Sequence, residues 1–599
     1  MSQLFANDNK PRDMAGANPD PANEDLRGIT SRWRARSKTQ STGDLLSRVL
    51  RARGLQDESE SFLNPSLRQM HDPLLIPDLE KAADRILRAA KGGERIVIFG
   101  DYDVDGVTAS AVLIHTLRAI APNADLQSYI PHRIEEGYGL NSDALKKLHA
   151  DGASLVVTVD CGITAVEPAL TAKNLGMDLI ITDHHNPPAS LDDMPEAYAV
   201  VHPRRPDSNY PYGELCGAGV AYKLAWRMCI KHSGSEKVHP ELRQVLVEML
   251  GFTALGSIAD VVPLLDENRV IVKHGLRQIP FSHNEGLCAL ISASGLDSDK
   301  IDTEDVGFRL APRLNAIGRL GNAADALHLM TNARGREATE LAEQLSRIND
   351  KRKAIGESIF SQAEEMAKAA GMCDSDRRAI VLRHPEWHPG VVGIVCSRLV
   401  ERYARPVILM LEDGEICKGS GRSIEDFNLH AGLEQCSPFL TGFGGHDMAA
   451  GMRCRTDQFE EFSEAFIRYA NEHLEPQDLI NTTKYDAELS LSELDVQAVK
   501  LIESLAPFGA GHPRVRLLIR DAKLNGDASP FGRNGSHLSL RICDRGQHGT
   551  GLRVVAWNWA KYREQIPRGA PIEAIIEPKL STWNGRTTVE PILVDLRVT

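Results

Sequence analysis

Three aspartates at alternate positions, Asp101, Asp103 and Asp105, follow directly on the apolar run 95–99 and precede a helical pattern. Such a triplet cannot continue as a buried strand, because a buried carboxylate without counter-charge costs several kcal/mol. Hard divalent cations supply that charge, and open parallel sheets carry their ligands at the C-terminal edge of the strands, where this triplet falls. A solvated acidic turn is the competing reading of one such triplet. Repetition weighs against it. The run 155–159 ends in Asp160-Cys161-Gly162, the run 179–181 leads through Thr182 into Asp183-His184-His185, and the apolar stretch 249–259 delivers Asp260. Parallel topology would gather these ends on one edge, and a mixture of carboxylate and imidazole suits Mn²⁺ ahead of Mg²⁺ or Zn²⁺.

Short apolar runs at 95–99, 125–130, 155–159, 179–181 and 198–201 alternate with helical stretches, the pattern of βαβ units and a mostly parallel sheet. Residues 336–370 contain no proline and one glycine, Gly356, with Leu341, Leu345, Ile348, Ile355 and Ile359 at helical spacing, which predicts a long amphipathic connector. A second α/β-like segment follows, glycine-dense over 418–451. From about Lys484 short strand-like runs broken by Gly, Asn and Pro predict an all-β module, a barrel. The fold class expected is α/β: a disordered tail over 1–40, a parallel-sheet catalytic domain over 41–335, a connecting helix over 336–370, a second α/β domain over 371–478 and an all-β module over 479–599.

A chain of 599 residues needs several cores. It has no apolar run long enough to span a membrane and no leader pattern at its start. Ten cysteines without a CxxC pair fit reduced thiols in a cytoplasmic protein and argue against zinc ribbons. Cys161 reads as a buried small residue in a tight turn rather than a nucleophile. A net charge of −13 argues against coating nucleic acid through a global positive field, though not against a local basic groove.

The ordered set D-x-D-G, D-C-G, D-H-H and an Asp after A-L-G-S-I-A resembles that of the DHH phosphoesterase family. The segments 312–319 (PRLNAIGR), 387–394 (WHPGVVGI), 419–423 (GSGRS), 444–446 (GGH) and 507–513 (PFGAGHP) resemble its single-strand-DNA exonuclease branch. The resemblance covers roughly residues 45–599. It implies two ions, Mn²⁺ or Mg²⁺, bridged by Asp160, with Asp103 on one and Asp105, His184 and Asp260 on the other. Asp183 and His185 would orient ligands or face the substrate, and Asp160, Asp183 and His185 are the catalytic candidates. Phe99 stands where many members of the family carry a histidine, so the first ion is expected to lean on Asp101 or water.

For the substrate the candidates are Arg313, Arg319, His388, Ser420, Arg422 and His446, read as lying in Gly- and Pro-containing loops that approach phosphate closely, together with Asn315. Arg133 joins them by resemblance, for a 5′-terminal phosphate. In the β-module, which resembles an oligonucleotide-binding barrel, Phe531, Trp557, Trp559, Tyr562 and Trp583 are candidates to stack bases, and Arg514, Arg516, Arg520 and Lys579 to follow the backbone. The resemblance implies a 5′-to-3′ exonuclease acting on single-stranded DNA in repair and recombination, monomeric and cytoplasmic, with a helicase and a single-strand-binding protein as partners and no membrane. Two alternatives stand beside it: a phosphodiesterase for short oligoribonucleotides or cyclic dinucleotides, and a non-catalytic single-strand-binding scaffold.

Overall fold

The structure is a computed structural model that describes residues 26–37, 42–132, 136–137, 139–297, 299–546 and 551–599. The chain forms two compact units, one of Gly54–Leu479 with Lys500–Arg514, the other of the stretch up to Arg53, Ile480–Val499 and Val515–Thr599.

In the larger unit β1 (Ile96–Gly100), β2 (Leu126–Tyr129), β3 (Leu155–Val159), β4 (Asp178–Thr182) and β5 (Ala199–Val201) form one sheet in the order β2-β1-β3-β4-β5, every neighbouring pair parallel. Side chains alternate between two cores. Ile96 and Ile98 pack with helices α1 (Val104–Ile120), α2 (Gly217–Ser233) and α3 (Pro240–Ala259), while Val97 and Phe99 pack with helices Ser142–Ala150 and Val166–Asn174. Both faces are covered, so the strands read as unbroken apolar runs. Gly100 lies opposite Val159 and Val159 opposite Thr182, so the next residues, Asp101, Asp160 and Asp183, leave the sheet side by side on one edge. Helix α3 is apolar and long enough to cross a membrane, but it is mostly buried, packed against α1 and α4 (Asp266–Gln278).

Helix α5 (Ala311–Leu320) leads towards α6 (Gly335–Ala369), whose 35 residues span about 50 Å. Ala338, Ala342 and Leu345 of α6 belong to the first core, whereas Ile359, Phe360, Ala363 and Ala367 belong to a second. One helix thus joins two cores through successive parts of its apolar stripe. The second core lies on β6 (Ile380–His384), β7 (Val407–Asp413), β8 (Ile416–Arg422), β9 (Gly442–Gly445) and β10 (Ala449–Arg455), ordered β9-β10-β8-β7-β6 and antiparallel except for β6 with β7. Helix α7 (Pro389–Tyr403) packs across β7 and β8.

The smaller unit contains a closed five-stranded barrel. Strands β12 (Leu517–Leu524), β16 (Pro571–Glu577), β17 (Ile592–Val598), β15 (Leu552–Ala556) and β14 (His537–Asp544) follow one another around it, and β12 pairs with β14 to close it, leaving no exposed edge in the ring. β11 (Ala487–Leu489) and β13 (Ser529–Phe531) extend the sheet.

Three boundaries differ from the sequence expectation, the first being that residues 42–53, expected in the catalytic domain, fall in the smaller unit. The tail expected over 1–40 is cut short, because Arg32–Ala35 pairs in parallel with Thr482–Tyr485 and Trp33 is 1% exposed, its indole Nε1 donating to Asp595 Oδ2 at 2.9 Å. Residues 500–514, expected within the β-module, pack with the larger unit. The buried Arg269 of α4 holds them there, donating to the carbonyls of Leu505 (2.8 Å), Ala506 (3.1 Å) and Pro507 (3.2 Å). Four backbone atoms held by one guanidinium, counting Phe62 O at 2.8 Å, outweigh sequence neighbourhood.

Candidate metal centre

Each acidic side chain is placed by a strand or helix end. Asp103 caps α1, its Oδ1 accepting from the N–H groups of Asp105 (2.9 Å) and Gly106 (3.1 Å). Gly106 must be glycine here, since a Cβ would lie 2.4 Å from the Asp101 carbonyl oxygen. Asp105, in the first turn of α1, points its carboxylate at the start of α2, where the N–H groups of Gly217 (2.5 Å) and Ala218 (2.9 Å) donate to it. Asp160 follows β3 in the left-handed region, φ 62°, a conformation that Asp tolerates better than most residues. Asp183 accepts from the N–H groups of His184 (2.7 Å), His185 (3.1 Å) and Ile163 (2.9 Å) and from His185 Nδ1 (2.7 Å). It therefore orients both imidazoles. Asp260 ends α3.

These placements bring eight sequence candidates together in three interlocking groups of donor atoms: Asp101, Asp103 and Asp160; Asp105, His184 and Asp260; and Asp160, His184 and His185. The eighth, Asp183, joins through its bond to His185. His184 Nε2 is buried and makes no hydrogen bond among the described residues; it stands 3.2 Å from Asp160 Oδ1, 3.5 Å from Asp260 Oδ2 and 3.9 Å from Asp105 Oδ2. Phe99 lies in the core on the other face and stacks on Tyr129, with ring centroids 5.2 Å apart, while Asp101 completes the group around Asp103.

The electrostatics call for cations. Burial and mutual repulsion push the Asp105 carboxyl up to about 6, Asp260 up to about 8 and Asp160 well above the carboxylate range. Burial holds His184 down at about 3, so it is neutral, as a metal ligand must be. Burial opposes the charge on Asp183 and His185 alike, but their hydrogen bond wins, lowering the carboxyl and raising the imidazole to about 9. The donor set fits a pair of divalent ions sharing Asp160: one among Asp101 and Asp103, the other among Asp105, His184 and Asp260. Cys161 is buried beside it, with burial pushing its thiol up and disarming it as a nucleophile.

The substrate candidates divide. Asn315 Oδ1 accepts from Val104 N at 3.1 Å, next to Asp103. His446 Nδ1 lies 3.3 Å from Asn186 Nδ2, beside the His pair. Gly318 touches the Tyr102 backbone, and the following Arg319 reaches the Gly390 carbonyl (2.9 Å) at the start of α7, which His388 caps by accepting from Gly390 N at 3.1 Å. A Cβ on Gly393 would lie 3.3 Å from Arg422 Nη2 and 3.4 Å from Ser420 Oγ, so those two side chains meet at the same helix start. Arg313 points elsewhere, with Nε on Ser346 Oγ (2.9 Å) and Nη1 on Arg309 O (2.6 Å). Arg133 lies outside the described residues.

The expectation that these residues sit in loops holds for His388 and His446 and is corrected for those on helix and strand. Arg313, Asn315 and Arg319 are on α5, and Ser420 and Arg422 are on β8. Pro312 is tolerated in the first helical turn, and Gly318 serves the close approach to Tyr102, so neither breaks the helix. Of the barrel candidates, Phe531 and the half-exposed Trp557 form a surface cluster together with His537, with centroid distances of 4.8 to 5.5 Å, and Trp583 is exposed on a hairpin. Trp559 is buried against Tyr562. Arg514, Arg516 and Arg520 are tied to Glu304, Glu577 and Glu488, leaving Lys579 as the exposed cation of that set.

Sequence reasoning missed the start of α2, and also His202 and Arg204. His202 Nε2 donates to His185 O at 2.7 Å and Arg204 Nη2 to His184 O at 2.5 Å, so both histidine carbonyls are gripped. A cluster of small residues, Gly217-Ala218-Gly219, was the available signal for the first, and His-Pro-Arg-Arg directly after an apolar run for the second.

Comparison with known proteins places three domains along the chain. Residues 95–256 match the DHH family N-terminal domain, 376–472 the DHHA1 domain and 485–595 the RecJ OB domain. The chain is 38% identical to the single-stranded-DNA-specific exonuclease RecJ of Bacillus subtilis, over 92% of this chain and 68% of that protein. It is 35% identical to the Escherichia coli RecJ, over 78% of this chain and 82% of that one. The crystal structure of Thermus thermophilus RecJ in complex with Mn²⁺ superposes with a TM-score of 0.77 at 31% identity, covering 92% of this chain and 76% of that chain. The chain belongs to the RecJ family, with the DHH, DHHA1 and RecJ OB domains in that order along it.

Proposed function

We propose that the chain hydrolyses single-stranded DNA from its 5′ end to nucleoside 5′-monophosphates, using two divalent ions, Mn²⁺ or Mg²⁺, in repair and recombination. The observation that carries this is the three interlocking donor groups around Asp160 and His184. Asp160 would be shared by the two ions, with Asp101 and Asp103 holding one of them and Asp105, His184 and Asp260 the other. Bound there, such ions make water acidic enough to act as nucleophile and neutralise charge on the attacking and leaving oxygens. Asp183 keeps His185 protonated, 3.9 Å from Asp160, where the imidazolium can stabilise a scissile phosphate or release a proton to the leaving oxygen. Asn315, Arg319, His388, Ser420, Arg422 and His446 contact the DNA phosphates, and Arg133 the terminal one; Arg313, engaged with Ser346, supports the helix that carries Asn315 and Arg319.

The barrel holds the strand, its exposed aromatic cluster stacking bases. That module separates this reading from a phosphodiesterase for short oligoribonucleotides or cyclic dinucleotides, which has no use for it. The full ligand set separates it from a non-catalytic scaffold. Ten free cysteines suit the cytoplasm. An enzyme that consumes single strands needs a helicase to make them and meets the single-strand-binding protein that covers them; we place it there as a monomer.

Product analysis tests the reading. With Mn²⁺ present, long single-stranded DNA should yield mononucleotides while duplex DNA, diribonucleotides and cyclic dinucleotides stay intact. Preferred turnover of the short substrates would refute it.

A further inference from the structure

The ligand-bearing segments around Asp105 and Asp260 come from distant parts of the chain, and a buried side chain on a third element reaches both. Asn268, fully buried on α4, directs its amide nitrogen at the carbonyl oxygens of Glu214 (2.6 Å) and Pro263 (3.0 Å), with the Tyr212 hydroxyl at 3.2 Å. Two carbonyls can be met only by the NH₂ end of an amide, so its orientation is fixed. Glu214 lies just before the start of α2, whose Gly217 and Ala218 N–H groups hold Asp105. Pro263 lies three residues after Asp260, and its carbonyl also accepts from Tyr212 Oη at 3.1 Å. Between Asp260 and Pro263 the chain passes through Val261 at φ 61°, a costly conformation for a β-branched residue that persists only where the surroundings impose it.

Resting on the assignment of Asp105 and Asp260 to one ion, we infer that Asn268 is a positioning residue for that ion: its amide ties the support of Asp105 to the loop of Asp260 and sets their separation without touching the metal. Tyr212, two residues before Glu214, adds a second tie between the same segments through its hydroxyl bond to the Pro263 carbonyl. Leu264 N is held independently by the Ala510 carbonyl at 2.8 Å, so the loop stays attached when the amide is removed.

The test is Mn²⁺ binding to the metal-free full chain by calorimetry, comparing wild type with Asn268→Leu, Tyr212→Phe and Asp260→Ala, with melting in EDTA as the check of folding. Asn268→Leu is expected to weaken one of the two Mn²⁺ sites by about ten-fold to a hundred-fold, the usual effect of losing a partner that orients a ligand, and Tyr212→Phe the same site by less. The other site should keep its affinity. Folded variants that bind both ions as tightly as wild type would overturn the inference, and if Asn268→Leu does not fold, unchanged binding in Tyr212→Phe overturns it alone. If Asp260→Ala keeps both ions at wild-type affinity, the ligand assignment itself falls, a result distinct from the first.

Discussion

Asp160 is the residue on which the site converges. It lies in two of the three donor groups, is almost fully buried, and has its carboxyl pushed up by burial and by Asp105, Asp103, Asp101 and Asp260. Removing it should cost more than removing any ligand that serves one ion. Asp160→Ala should lower the single-strand hydrolysis rate by about a thousand-fold or more, equivalent to about 4 kcal/mol of lost transition-state stabilisation. A second expectation concerns pH. Asp105 at about 6, Asp260 at about 8 and His185 at about 9 all titrate above their ordinary values in the metal-free fold. A group with a raised folded pKa contributes stability that is complete below its unfolded pKa and is lost as pH rises through the folded one. Metal-free protein should therefore melt several degrees lower at pH 9 than at pH 5, and Mn²⁺ should restore stability most at the higher pH, where the carboxylates are charged; scanning calorimetry in EDTA and in Mn²⁺ measures both.

At the scale of elements, the centre depends on close approach as much as on ligands. Gly217, at the start of α2, lies where a Cβ would fall 2.6 Å from Asp160 Cβ, and a Cβ on Gly256 of α3 would fall 2.5 Å from Asp105 Oδ1. Gly217→Ala should leave the sheet intact but shift Asp160, lowering the rate by about a hundred-fold, the scale of an ångström-sized misplacement; single-turnover kinetics beside a circular dichroism melt separate that from unfolding. The strands and their acidic ends were legible because a parallel sheet covered on both faces writes itself as continuous apolar runs, and a carboxylate at the end of each is conspicuous. The docking of α2 on Asp105 was not legible, since Gly217 and Asp105 are far apart in sequence and glycine there reads as ordinary helix packing. Arg319 and Arg422 were noticed for their chemistry but assigned to loops, because Pro and Gly signal a break only where the helix or strand lacks a use for them. The strand around Trp33 was hidden by its polar surroundings; its partners are Thr483 and Asp595, both hundreds of residues away.

For the whole molecule, the proposed catalytic and strand-holding tasks would fall on different units. The acidic centre lies in the larger unit and the exposed aromatics in the barrel. Replacing Phe531 and Trp557 together with alanine should weaken binding of long single strands by roughly ten-fold or more, as stacking commonly contributes about 1–3 kcal/mol per base. Fluorescence anisotropy measures this, and Mn²⁺ affinity should not change.

The most direct measurement is digestion of single-stranded DNA labelled separately at its 5′ and 3′ ends, in Mn²⁺ and in EDTA, by wild type and by Asp160→Ala. The account expects the 5′ label to be released first as a mononucleotide, only with Mn²⁺ and only by the wild type. Release from the 3′ end, internal cuts, or undiminished hydrolysis by Asp160→Ala would contradict it.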